Sequence, residues 1–207
     1  MGTKCLRWGS LKIVLLLVTA LSVALSGCAQ EPSQEPMSYS YSFEEDMQGW
    51  ISDGTDLDNP PVNWSVERSQ ELAYEGNSSI MLYLDNMNDA GKIWMEREFD
   101  VSPDTLYNVS VSYMFATGDF GDVNLFTIIT GVSPVSPEEA GDLAFQEDTG
   151  HHLDEQGFVW LEKDYNFDVQ SSSNGKLYVS IGVWGTWETP RIYFVDDVEV
   201  KFTPVEQ

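Results

Sequence analysis

Residues 191–202 read Arg191-Ile192-Tyr193-Phe194-Val195-Asp196-Asp197-Val198-Glu199-Val200-Lys201-Phe202, a run in which nearly every side chain favours a β-strand. Two adjacent aspartates interrupt it at the centre, where charge and low β-propensity weaken a strand. Such residues persist where something stabilises them: a cation, a ring of backbone N–H groups, or water at the end of a sheet. Alternation puts Asp196 on the face of Val198, Val200 and Phe202, which points it inward, and Asp197 on the other. A buried carboxylate without a partner is costly.

The same strand grammar runs through the chain. Strands are expected over 39–43, 64–68, 79–84, 92–99, 107–116, 123–130, 158–167, 176–184 and 192–202, divided by turns such as Asp53-Gly54, Glu75-Gly76-Asn77 and Asn174-Gly175. Val109, Val111, Tyr113 and Phe115 alternate with Ser110 and Ser112, and Leu177, Val179, Ile181 and Val183 alternate with Tyr178, Ser180, Gly182 and Trp184. One face is core and the other wet, as in an antiparallel sandwich. Nine such strands in one segment predict an all-β chain, an antiparallel β-sandwich of jelly-roll type. The stretch 131–157 breaks the pattern, being long, acidic and irregular.

The N-terminal segment reads as an address. Lys4, Arg7 and Lys12 precede the uncharged run IVLLLVTALSVAL at 13–25, which is too short for a hydrocarbon core that needs about 20 residues. Leu25-Ser26-Gly27-Cys28 follows and resembles the lipobox of prokaryotic lipoproteins, in which the cysteine is lipidated and becomes the first residue; an ordinary cleavage near Ala29 is the other reading. Cys5 and Cys28 are the two cysteines, so loss of residues 1–27 leaves no internal disulfide. The expected organisation is a signal peptide at 1–27, a lipidated Cys28 with a polar tether to 38, one β-domain at 39–203 and a tail at 204–207. Two acyl chains on Cys28 would anchor the protein durably outside the cytoplasm.

The formal net charge is −24, with 10 basic and 34 acidic residues. The leader removes three of the basic ones, which takes the remainder to −27. Such a field excludes nucleic acid and anionic lipid as partners and admits cations and neutral polymers. Nucleophile-elbow, zinc-protease and phosphate-loop motifs are missing from the sequence. His151-His152 with Asp154 and Glu155 is a weak transition-metal pattern. Carboxylates are so abundant that a pair of them marks no glycosidase dyad.

Three islands carry a resemblance. Tyr41-Ser42-Phe43-Glu44 leads to Gly49-Trp50; Ala73-Tyr74-Glu75-Gly76-Asn77-Ser78-Ser79-Ile80 follows; Tyr193-Phe194-Val195-Asp196-Asp197-Val198 closes the domain. Their order resembles carbohydrate-binding modules of families 4, 9 and 22, with a galactose-binding-like jelly roll. The resemblance implies a non-catalytic module that binds a polysaccharide or glycan. It also implies a structural calcium tying the first strand to the last through Glu44, Asp196, Asp197, Glu75 and Ser79. Calcium's demand for hard oxygens agrees with clustered carboxylates; an Asp196 that only accepts backbone N–H bonds is the other reading. On the polar face of the concave sheet, sugar contacts would come from Trp94, Glu96, Trp160, Tyr178 and Trp184, with Trp187 in the next loop. Trp50 is expected in the core. The alternative function is a structural or adhesive envelope protein that binds other proteins through the same sandwich.

Overall fold

Alternation decides the long strands. In the computed structural model, which describes residues 35–118, 125–148 and 157–206, Tyr107, Val109, Val111, Tyr113 and Phe115 are all buried, and so are Leu177, Val179, Ile181 and Val183. Eleven strands lie among these residues: β1 Met37–Tyr41, β2 Ile51–Thr55, β3 Trp64–Ser69, β4 Ser79–Asp85, β5 Lys92–Asp100, β6 Leu106–Thr117, β7 Phe126–Ser133, β8 Phe145–Asp148, β9 Val159–Gln170, β10 Lys176–Gly185 and β11 Pro190–Pro204. They form two antiparallel sheets. One runs β3-β4-β11-β6-β9 with β1 also on β11, and the other runs β2-β5-β10-β7-β8. Apolar faces of both sheets share one core, in which Trp50 meets Tyr41 edge-on at 5.5 Å. The fold is the expected all-β sandwich.

β2 and β8 extend the nine expected strands. Ile51-Ser52-Asp53-Gly54-Thr55 contains a turn-like Asp-Gly pair, and Phe145-Gln146-Glu147-Asp148 lies inside the acidic stretch. Both are sheet edges, where pairing to β5 and β7 overrides weak propensity. The β8 edge also helps to close the sandwich. Lys163 of β9 is buried and pairs with Glu147 at 2.9 Å, while the Tyr165 hydroxyl donates to the same carboxylate at 2.6 Å. Burial works against that carboxylate, but the Tyr165 and Lys163 bonds prevail and hold it below the usual range.

β11 explains its own aspartates. One of its edges pairs with β6 along most of its length. On the other edge, residues 190–195 pair with β4 and residues 198–202 pair with β1. Asp196 and Asp197 sit at the change of partner, where the register to β6 slips by one residue between Asp196 and Glu199. Asp197 takes φ +49°, so the pair forms a β-bulge. The bulge reverses the alternation. Tyr193 and Val195 face the core before it, and Val198, Val200 and Phe202 after it. Asp196 therefore lies on the side of Phe194, which corrects the inward face that unbroken alternation gives it.

Candidate functional site

The residues proposed for a metal meet at the segment before β4. Glu44 points Oε1 at this turn and accepts the backbone N–H groups of Asn77 (2.9 Å) and Ser78 (3.1 Å). Gly76 permits that approach: its φ is +66°, and a Cβ there would lie 2.2 Å from the same oxygen. Asp196 holds the other end of the turn. Its Oδ2 accepts the N–H groups of Tyr74 (2.8 Å) and Glu75 (3.3 Å), and its Oδ1 accepts that of Asp197 (2.8 Å). Ser79 donates its hydroxyl to the Leu72 carbonyl at 2.6 Å, and Glu75 and Asp197 are exposed. Backbone N–H groups, one of the three stabilisers considered for a mid-strand aspartate, are what Asp196 meets.

A calcium shell needs about six to eight oxygens around one point, and the carboxylates here are spread along the turn. Glu44 and Asp196 grip different ends of the turn, and each already faces hydrogen-bond donors. Among the described residues, no three acidic, histidine or cysteine side chains converge as metal ligands. A guanidinium stands beside Glu44 instead. Arg68 of β3 donates from Nε to the Phe43 carbonyl (2.7 Å) and from Nη2 to the Glu44 carbonyl (2.5 Å) and Ser78 Oγ (2.6 Å).

The two carboxyls titrate in opposite directions. Burial pushes that of Asp196 upward, against the N–H bonds from Asp197, Tyr74 and Glu75. The Asn77 and Ser78 N–H bonds, aided by Arg68, hold that of Glu44 below the usual range despite partial desolvation. A depressed folded-state pKa adds stability that is complete above the unfolded value, about 4.3 for glutamate, and is lost as pH falls through the folded value. Glu44→Gln is therefore expected to melt below the wild type at neutral pH. The gap should close below about pH 4. A gap that persists unchanged at pH 3 in matched thermal melts contradicts this account.

The six residues expected at a sugar face divide between two sheets. Trp94, Glu96, Tyr178 and Trp184 lie on the outer side of the five-stranded sheet, with Trp187 just past its β10 end. Trp160 belongs to β9, on the outer side of the other sheet, where Tyr74 meets it at 5.7 Å. Alternation fixed each residue's side of its own strand but not which sheet the strand joined. Trp94 and Glu96 are also closed off. The stretch after β7 folds back over them, so that Trp94 packs with Ile129 and Leu143 at 0% exposure. Glu96, 4% exposed, accepts the Ser136 hydroxyl at 2.7 Å and the Trp94 indole N–H at 3.4 Å.

What stays open on that face lies at its two ends. Tyr178 donates its hydroxyl to Glu98 at 2.7 Å, and Lys176 pairs with Glu98 and Asp100. At the other end, the Lys92 ammonium stands 4.8 Å from the centroid of the Trp184 ring and pairs with Asp56 at 2.7 Å. Phe145 meets the same ring edge-on at 5.4 Å, and the Trp184 indole N–H donates to the Asp89 carbonyl at 3.4 Å. Trp187 is 54% exposed and Phe145 37%. Sequence reading missed Phe145, because nothing local in 131–157 announces a strand, and Lys92, because its place beside Trp184 follows from the pairing of β5 with β10.

Against the six-stranded sheet, Tyr74 meets Trp160, and Phe158 packs on Phe194 at 5.1 Å. Tyr74 and Phe158 are both exposed. Cys28 and the group His151, His152, Asp154 and Glu155 lie outside the described residues.

No family model and no curated protein matches the chain. Solved structures with a similar course include the family 22 xylan-binding domain CBM22-1 of Xyn10C from Paenibacillus barcinonensis: 17% identity, 81% of this chain, 95% of that one, TM-score 0.46. The mannan-recognising module TmCBM27 is similar at 14% identity, 81% and 98% coverage and TM-score 0.48. So is the K1 cleaved adhesin domain of Lys-gingipain from Porphyromonas gingivalis W83, at 11% identity, 79% and 97% coverage and TM-score 0.48. At these identities and scores the likeness concerns the course of the chain alone.

Proposed function

We propose that this chain is a non-catalytic glycan-binding protein, held at the outer side of a membrane by a lipid on Cys28. The carrying observation is the aromatic group at one end of the five-stranded sheet. Trp184 is flanked by exposed Phe145 and by Lys92, and exposed Trp187 lies three residues further on. Aromatic rings offer flat apolar faces, which suit the C–H face of a pyranose. Lys92, Asp56 and the Asp89 carbonyl supply polar groups beside them, the mixture of apolar wall and few polar groups usual in ligand sites. A net charge of −24 favours a neutral or cationic polymer over an anionic one.

Affinity electrophoresis across xylan, mannan, galactan and a cationic glucosamine polymer tests this reading. Trp187→Ala and Phe145→Ala are expected to weaken retention about tenfold or more while changing stability by less than about 1 kcal/mol, since both rings are partly exposed. Wild-type indifference to every glycan ends the proposal. Retention that depends on Trp160 instead relocates the site to the other sheet. Tyr74, Trp160 and Phe158 there favour a second reading, a surface that docks another envelope protein.

The anchor has its own test. Cys28→Ser is expected to leave the protein as uncleaved precursor or release it from the membrane fraction. Normal cleavage with unchanged fractionation removes the lipid from the proposal.

A further inference from the structure

We propose that the cation tying the chain after the first strand to the turn before β4 is the Arg68 guanidinium, and that the fold reaches full stability without calcium. Arg68 leaves β3 beside the two segments it joins. Its Nε and Nη2 engage successive carbonyls, Phe43 and Glu44, just past β1, and Nη2 also reaches the Ser78 hydroxyl at the entry to β4. One rigid fork therefore links the chain after the first strand to the turn that Asp196 of the last strand grips from its other side. An arginine suits this work because its donors are planar and its charge is permanent.

The same contacts oppose a divalent ion. The Phe43 and Glu44 carbonyl oxygens are engaged by a positive group, and an ion sharing them would stand within a few ångströms of it. Two like charges repel strongly at that separation in a partly desolvated setting. Glu44 Oε1 already accepts two N–H bonds, and Gly76 lies so close that nothing larger than a hydrogen fits at its Cα. Asp196 is held by three N–H groups at a different point of the turn. Glu44 and Asp196 thus act as anchors of the turn, with the positive charge supplied by the chain.

The test is a thermal melt of the full chain after exhaustive chelation, then with millimolar calcium or, at equal concentration, magnesium. Magnesium controls for plain screening of a −24 chain. The melting temperatures in calcium and magnesium are expected to agree within about 1 °C. A selective calcium gain of about 5 °C or more, the shift a site filled to a hundredfold excess would give, overturns the proposal. Arg68→Met, which keeps the stem and removes the fork, is expected to lower the melting temperature by on the order of 5–10 °C. An Arg68→Met protein as stable as the wild type also overturns it. Should that variant not fold, the chelation result on the wild type decides alone.

Discussion

Trp94→Ala is expected to destabilise the protein by about 3–5 kcal/mol, the usual loss when a large buried aromatic is truncated. For a domain of this size that lowers the melting temperature by on the order of 10 °C. The indole is 0% exposed, pressed between Ile129 and Leu143 on the outer side of β5, and its N–H points to Glu96. Removal opens a cavity under the stretch after β7 and leaves Glu96 with the Ser136 hydroxyl as its remaining described donor. Trp94→Phe keeps most of the volume and loses the N–H, so a smaller drop is expected. Urea denaturation of both variants measures the difference. A Trp94→Ala protein with an unchanged midpoint but abolished glycan retention would show that the ring is a binding platform after all, and that the covering stretch moves aside.

That contrast marks how far the sequence could be read. Strand identity was legible because half-buried strands repeat every two residues, and the apolar residues of β6 and β10 at 107–115 and 177–183 state that period. Sheet membership was not, since Trp94 on β5 and Trp160 on β9 have the same local grammar and differ only in their partners. Burial by a distant segment was equally hidden. Leu143 and Ser136 come from an acidic stretch with no periodicity, and only tertiary packing shows that they roof Trp94 and Glu96. An exposed aromatic on a polar strand face and one under a loop look alike in sequence.

The turn before β4 was legible in its residues but not in its contacts. Glu44, Gly76, Asp196 and Ser79 do converge on it, as their motif placement implied. The resemblance supplied a calcium for them, whereas the contacts show N–H donors on both carboxylates and a guanidinium on the carbonyls. Arg68 went unnoticed because it sits in an ordinary strand and carries no motif. An unpaired cluster of carboxylates in a sequence calls for a positive partner, and an arginine ten residues before Ser78 in the chain was such a signal.

The two aspartates that open the problem should separate cleanly in experiment. Asp196→Ala removes the acceptor of three backbone N–H groups, those of Tyr74, Glu75 and Asp197, at a residue 1% exposed. A buried donor left without a partner costs about 1–3 kcal/mol, and some of these will find water, so a total loss of about 3 kcal/mol is expected. That places the melting temperature roughly 10 °C below the wild type. Asp197 contributes its backbone shape, because its side chain is exposed and its φ of +49° lies in the left-handed region. Glycine occupies that region without steric cost, so Asp197→Gly is expected to be neutral or to gain up to about 1 kcal/mol. Asp197→Val, branched at Cβ, should lose stability there. Equal losses in Asp196→Ala and Asp197→Ala, or a severe loss in Asp197→Gly, would remove the bulge from the account. The partner change on β11 would then be held by the flanking ladders with β4 and β1, with no special part for either aspartate.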